Sequence, residues 1–328
     1  MNLLLFVDQV QKYYPVSRGL GAWWCKPQRS HLYAVDDVSF GLEEGESLGL
    51  VGESASGKSS LVHLIARLID PSTGRIVFDG QEISRIPARQ FAHLDARAQI
   101  QVVFQNAANS LNPRLTVFDC IAEPLRCLQR ISSRHELLAR VADAVDRVGL
   151  SGDLLTCLPH QLTLGQRVCV HIARAISLRP RLLMLDEPTA GLDASVQAMI
   201  VQCLGRLRRD LGMTYIVVSR DLHVVRLLCD RIMVMYQGKI AEVGMTEDIF
   251  QHPLHPYTQA LVSALPDPYN RQRFERITLY GEPHRPVDPN PDACRLSERC
   301  PKSQILCGQA MPVLRRYASR HLAACHGI

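Results

Sequence analysis

Apolar and polar side chains alternate through residues 3–52, with turn residues between the runs, and this period-two pattern predicts strands. Ser30 to Phe40 reads as one of them. Val16 to Arg29 carries Gly19, Gly21, Trp23, Trp24 and Pro27 and predicts a loop insertion. Ser47 to Val51 reads as a buried strand, with a helix following from about Gly57. Gly74 to Gly80 predicts a hairpin arm. Between about 115 and 155 the spacing changes to three and four, through Leu137, Leu138, Val141, Val145 and Val148, which predicts helices. From Leu182 onward strand and helix alternate, with strands at Leu182–Leu185 and Tyr215–Val218, and that order predicts a parallel sheet. A hairpin is expected from Arg231 to Val243, turning at Gln237–Gly238. After Phe250 eight prolines, from Pro253 to Pro291, predict an irregular, linker-like region.

Composition adds bounds to this outline. The 328 residues are 47% apolar and 21% charged, a balance that excludes global disorder and suggests two domains or one large domain with an appendage. No run of 18 apolar residues occurs, so no membrane-spanning helix is expected. The apolar start, Met1 to Val7, lacks a basic segment and a cleavage site, and reads as strand rather than signal peptide. The net charge of +5 lacks the dense Lys/Arg clusters of nucleic-acid binders, so no nucleic-acid partner is expected. Of eleven cysteines, Cys25, Cys120, Cys127, Cys157, Cys169, Cys203 and Cys229 are scattered and read mostly as core fillers.

The chemistry begins at Gly52-Glu53-Ser54-Ala55-Ser56-Gly57-Lys58-Ser59, followed by Ser60. This G-x-x-x-x-G-K-S run sits between a predicted buried strand and a helix. Its glycines let backbone N–H groups curl toward a phosphate, and the helix N-terminus adds a positive dipole end. Lys58 is placed for terminal phosphates and Ser59 for Mg²⁺. Downstream, the apolar strand Leu182–Leu185 ends in Asp186 and Glu187. That placement suits one carboxylate for Mg²⁺ and one to orient an attacking water.

With these motifs in order, the chain resembles ATP-binding subunits of ABC transporters. The resemblance implies an α/β fold: a P-loop ATPase core with a mixed sheet, an antiparallel β part and a helical subdomain near 110–175. It also implies ATP and Mg²⁺ as ligands. Gln105 matches the loop that senses Mg²⁺ and water and touches membrane subunits. Asp193 matches the segment that crosses to the partner ATPase, and by residue type it also suits a helix N-cap. Tyr14 aligns with the aromatic that stacks on adenine, with Tyr33, Trp23 and Trp24 as rivals. The family signature Leu-Ser-Gly-Gly-Gln appears as Leu162-Thr163-Leu164-Gly165-Gln166, so Leu164 adds bulk where a glycine approaches the partner's nucleotide. Arg220 stands where the family has its switch His, and an Arg cannot act as a neutral acceptor. The expectation is a heterodimer with unequal, slow sites, the catalytic set being Glu187, Gln105 and Arg220. The rival expectation is a regulatory subunit that binds nucleotide and scarcely hydrolyses it.

His252-Pro253-Leu254-His255-Pro256-Tyr257 resembles the C-terminal motif of oligopeptide and dipeptide importers, which carry two different ATPases; the match is nearest to the second. Lys12 to Val16 and Ser110 to Arg114 point the same way. Residues 1–250 are then the nucleotide-binding domain and 251–328 a C-terminal extension. The implied partners are a second ATPase, two transmembrane permease subunits and a periplasmic or lipid-anchored substrate-binding protein. The implied location is peripheral, on the cytoplasmic side of a bacterial inner membrane. The extension holds Cys294, Cys300, Cys307 and Cys325, at gaps of five, six and seventeen residues. Four thiolates suit Zn²⁺ or a [4Fe–4S] cluster. The subfamily resemblance and Cys300-Pro301, similar to iron–sulfur loops, favour the cluster. His326 follows the last Cys and reads as a neighbour of the site or an exposed residue in preference to a replacement ligand. The transported substrate is not encoded here; peptides follow from the resemblance, with nickel chelates, glutathione or peptide antibiotics left open.

Overall fold

The computed structural model describes residues 3–16, 30–105, 110–265, 276–282 and 284–328. The expected loop insertion, apart from Val16, lies outside these residues. The strand pattern of the first 52 residues becomes β1 (Leu3–Val16), β2 (Ser30–Glu43) and β3 (Ser47–Val51). β1 pairs antiparallel with β2 and with β4 (Thr73–Phe78), which turns into β5 (Gln81–Glu82), giving a four-stranded sheet. Leu5, Val7 and Val10 of β1 point inward with Val35, Val38 and Leu42 of β2, so the alternation is the buried face of this sheet.

A second sheet of eight strands forms the centre. Its order is β11 (Arg315–Ala318), β12 (His321–Ala323), β10 (Lys239–Met245), β9 (Arg231–Tyr236), β3, β8 (Thr214–Val218), β7 (Leu182–Asp186) and β6 (Ile100–Val103). The stretch from β9 to β6 is parallel; β10, β12 and β11 are added antiparallel. Every residue of β3, β7 and β8 is buried, as expected for parallel strands covered on both faces. On one face α8 (Leu222–Leu228) lies so close to β3 that a Cβ on Gly49 would come within 2.2 Å of Val225 Cγ1.

Helix α1 (Lys58–Ile65) follows β3, and the single turns α2 (Ala88–Phe91) and α3 (Ala96–Gln99) lead into β6. The helical region is α4 (Val117–Leu128), α5 (Arg134–Arg147) and α6 (Leu164–Ile176). Thr116, Ser133 and Thr163 cap the three N-termini with their hydroxyls. Leu137, Val141 and Val145 form the buried face of α5, whereas Leu138 is 47% exposed, one position off that face. α7 (Ala194–Leu211) precedes β8.

The start of the proline-rich region, residues 253–265, is more ordered than its composition predicts; residues 266–275 and 283 lie outside the described residues, and 276–282 and 284–291 are irregular as expected. After α9 (Thr246–Gln251) comes α10 (Pro256–Ser263), where Pro256 suits the first helical turn and His255 Nδ1 accepts the Tyr257 N–H at 3.1 Å. The organising group is Glu242 of β10, which is fully buried. Its carboxylate accepts the N–H groups of Leu254 and His255, both at 2.8 Å, and Nε2–H of His321 on β12 at 2.6 Å. One side chain thus ties the helix entry and the last strand to the central sheet. Burial holds His255 neutral, its pKa pushed down to about 4.

Glu242→Ala would strand three buried donors and is expected to cost about 3 kcal/mol. Urea unfolding followed by circular dichroism should show the lowered midpoint, and an unchanged midpoint would contradict this role.

Candidate functional site

Three parallel strands end at one edge of the central sheet. Leu50 of β3 and Asp186 of β7 are both in register with Val218 of β8. The chain leaves each strand there, bringing together the loop Gly52–Ser59, the pair Asp186–Glu187 and the segment Ser219–Arg220. At Gly52 (φ +148°) a Cβ would lie 2.2 Å from the Met235 carbonyl oxygen, and at Gly57 (φ +104°) 2.1 Å from that of Ala34. Neighbouring backbone presses on the loop at both points, and only glycine fits.

Lys58 is buried at the centre of the loop. Its Nζ donates to the carbonyls of Gly52 and Glu53, both at 2.7 Å, and to Ser56 Oγ at 3.0 Å. Burial lowers its pKa to about 8, against the opposing charge of Glu187. Ser54 and Ala55 are exposed at the crest of the loop. Ser60 hydrogen-bonds the hydroxyl of Tyr14, itself about one-third exposed, which places that aromatic beside α1.

Asp186 is buried, and desolvation raises its pKa, opposed first by a hydrogen bond from Ser59. Its Oδ1 is buried without a partner. A leftover carboxylate oxygen beside a serine hydroxyl fits a hard divalent cation such as Mg²⁺. Glu187 is held in place by its N–H, which donates to the Val218 carbonyl at 2.9 Å. Its carboxylate accepts Gln105 Nε2–H at 3.3 Å on one oxygen and pairs with Arg220 Nε at 2.7 Å on the other. Arg220 thus reaches the carboxylate while its side chain stays about half exposed. A cleft of about 350 Å³ beside the loop is lined by Gly52, Glu53, Ser54, Arg220, Leu222 and Leu261, among others.

Glu53 is held from an unexpected direction. Its N–H donates to the Tyr257 hydroxyl at 2.6 Å, and its carboxylate receives both terminal nitrogens of Arg299, at 2.8 and 3.1 Å. Neither Tyr257 of the His252–Tyr257 motif nor Arg299 was among the site residues expected from the sequence. The tyrosine in that motif was the available signal; nothing in the spacing marked the arginine.

The signature-like segment forms the start of α6. Thr163 Oγ1 accepts the Gln166 N–H at 3.3 Å, and Gln166 Oε1 accepts the Thr163 N–H at 2.9 Å, a reciprocal cap. Leu164 is 39% exposed on the first helical turn. Gly165 abuts α7, since a Cβ there would lie 2.6 Å from Val196 Cγ1. Asp193 caps α7, accepting the N–H groups of Ser195 and Val196 at 3.0 Å.

Cys294, Cys300, Cys307 and Cys325 lie near enough for their charges to interact. Burial is the main cause that raises Cys294, to about 11, and raises Cys300 and Cys325. Backbone N–H groups of Gln304 and Gly327 point at the sulfurs of Cys307 and Cys325, at 3.5 and 3.4 Å. The donor chemistry thus suits a soft metal centre. Among the described residues, however, no three His, Cys, Asp or Glu side chains are gathered closely enough to hold a metal ion, so the expected [4Fe–4S] cluster gains no support from this arrangement. The His326 ring instead donates to the Ala310 carbonyl at 2.8 Å. Among the described residues no helix is long and apolar enough to cross a membrane.

Comparison with known proteins agrees with this geometry. Residues 35–190 match the family described as ABC transporter, and residues 241–307 match the oligopeptide/dipeptide transporter C-terminal region. The oligopeptide transport ATP-binding protein AppF of Bacillus subtilis is 39% identical over 325 residues, covering 98% of this chain and 97% of the relative. OppF of Salmonella typhimurium, another oligopeptide transport ATP-binding protein, is 38% identical over 327 residues, covering 99% and 96%. Among solved structures, the dimeric ATP-binding cassette MJ0796 bound to ADP and Pi superposes with a TM-score of 0.65 at 27% identity. That match covers 74% of this chain and 98% of the cassette. CbiO1 of Clostridium perfringens, part of the ABC transporter complex cbiONQ, gives 0.63 at 27% identity, covering 77% and 92%.

The lowered pKa of Lys58 sets a sign for ligand binding. Phosphate charge favours protonated Lys58 and raises its pKa in the complex. Triphosphate affinity should therefore be flat below pH 8 and fall above it, by up to about tenfold per pH unit, with proton uptake on binding. Titration calorimetry in buffers of different ionisation enthalpy measures both, and affinity independent of pH between 7 and 9 would contradict the assignment.

Proposed function

Because the chain belongs to the family of ATP-binding proteins of oligopeptide ABC transporters, an ATPase family, we propose that it energises peptide import across a bacterial inner membrane. In this reading it sits on the cytoplasmic side and pairs with a second, different ATPase. Two transmembrane permease subunits and a substrate-binding protein complete the importer. Residues 1–250 act as the nucleotide domain and 251–328 as its extension. The observation that carries the reading is the convergence of Lys58, Asp186 and Glu187 at one sheet edge, next to a glycine-bounded loop.

The chain's own residues divide the work as follows. Lys58 exchanges its three loop acceptors for ATP phosphates, and the N–H groups at the start of α1 face the same anion. Tyr14 stacks against the base. Ser59, Asp186 and Gln105 would hold Mg²⁺, which when bound neutralises phosphate charge. Glu187 orients the attacking water. Thr163, Gly165 and Gln166 face ATP held by the partner ATPase, with Leu164 narrowing that approach, and Asp193 orders the segment that crosses between subunits. The Gln105 loop and the α4–α6 region carry the resulting closure to the permeases.

The two nucleotide sites are unequal in this proposal. The Arg220–Glu187 pair, with Gln105, occupies both oxygens of the carboxylate that must orient water. That same ion pair supports the second reading, a nucleotide-holding regulatory subunit, in which closure survives and turnover is negligible. In the assembled transporter with the partner's own site disabled, Arg220→His frees one carboxylate oxygen. It should then raise residual ATP turnover about tenfold, a barrier change of about 1.4 kcal/mol. Unchanged turnover would leave no role for the ion pair.

The four tail thiols are proposed as ligands of a [4Fe–4S] centre, a reading that rests on their donor type and on the N–H groups aimed at two sulfurs, not on an already gathered ligand set. Anaerobically purified protein should carry about four iron and four sulfide per chain with iron–sulfur visible absorbance. One zinc per chain, or no metal, would overturn this part.

A further inference from the structure

The C-terminal tail reaches the phosphate-binding loop through Arg299. Arg299 lies between the tail cysteines Cys294 and Cys300 in sequence and is buried, with 7% of its surface exposed. Its backbone is fixed by Tyr280, whose N–H donates to the Arg299 carbonyl at 3.0 Å, and by its own N–H, which donates to Leu296 at 2.8 Å. Its Nε donates to the Tyr280 carbonyl at 3.2 Å, and Nη1 also reaches the Tyr236 hydroxyl at 3.2 Å. The guanidinium lies 5.8 Å from the Tyr236 ring centre, and that ring packs against Tyr257 at 4.7 Å. A planar fork fixed at this many points has one place to go, the two oxygens of Glu53.

Glu53 is an awkward residue for this loop. Its negative charge stands beside Lys58 in a segment that the proposed function gives to ATP phosphates. Unpaired, the carboxylate would repel the ligand and leave the loop free to move. Arg299 neutralises the charge, while the Tyr257 hydroxyl fixes the Glu53 N–H from the same side. The loop carbonyls of Gly52 and Glu53 that Lys58 uses are held by this arrangement too.

We infer that Arg299 is a positioning residue for nucleotide binding: the cysteine-bearing tail completes the phosphate site by pairing with Glu53. This rests on the reading of the same loop as an ATP site. It makes the tail a working part of that site rather than an appendage, and it requires no particular metal on the cysteines.

The test is equilibrium binding of a fluorescent ATP analogue with Mg²⁺ to the full chain, with thermal unfolding of every variant as the folding control. Arg299→Met should weaken binding about tenfold at temperatures where the protein is folded. Glu53→Gln keeps an acceptor for Arg299 and should weaken binding less. The double variant should bind no worse than Arg299→Met alone, because the two residues act through each other. Arg299→Lys keeps the charge and loses the fork, so it should fall between wild type and Arg299→Met; it also serves if Arg299→Met fails to fold. Wild-type affinity in the Arg299 variants that fold, or simple addition of the two single effects, would overturn the inference. Lys58→Ala separates the two levels of the argument. If the wild-type chain binds no ATP analogue, the ATP-site reading fails. If Lys58→Ala abolishes binding and the Arg299 variants leave it intact, only the present inference fails.

Discussion

The parallel register of β3, β8 and β7 is the constraint on which the rest depends. Because Leu50 and Asp186 both align with Val218, three chain exits fall at the same height on one sheet edge. The glycine-bounded loop, the two carboxylates and Arg220 then have little freedom about where to be. All three strands are buried on both faces, so a slip of one residue would send each side chain into the opposite, differently packed face and misplace Lys58 against Glu187. The chemistry is borne by a handful of polar side chains, and the hydrophobic packing underneath determines their mutual distances.

Within that frame the site combines standard and unusual parts. Lys58, Ser59 and Asp186 stand together, and the Asp186 Oδ1, buried without a hydrogen-bond partner, suits a hard cation. Arg220 departs from the pattern by pairing with Glu187. The loop is steadied from outside the sheet as well. Glu242 pins α10 and β12 to the sheet, α10 presents Tyr257 to Glu53, and the tail presents Arg299 to the same residue. Stability of the C-terminal region and geometry of the phosphate loop are therefore linked through a short chain of hydrogen bonds.

Much of this was legible in the chain itself. The buried strand Ser47–Val51, the loop to Ser59, and the strands ending at Asp186 and Val218 follow from local pattern, because consecutive residues carry the signal. Leu164 and Arg220 stood out as departures at fixed motif positions. The contacts of the tail were not legible. Proline spacing after Phe250 predicted irregular chain, but the fully buried Glu242, thirteen residues upstream of His255 and 79 from His321, supplies acceptors that order the chain at Leu254, His255 and His321. Arg299 to Glu53 spans 246 positions, and no local periodicity reports a pair so far apart. Leu138 fitted the helical spacing but lies one step off the buried stripe.

The central proposal is that this subunit's own site, where Arg220 pairs with Glu187, turns ATP over more slowly than the partner's. It is tested most directly in the assembled transporter by comparing Glu187→Gln with the matching change in the partner ATPase, reading steady-state ATP hydrolysis. The account predicts that turnover survives Glu187→Gln and stops with the partner's change. Loss of turnover on Glu187→Gln alone would contradict it, showing that Arg220 does not silence the carboxylate it pairs with.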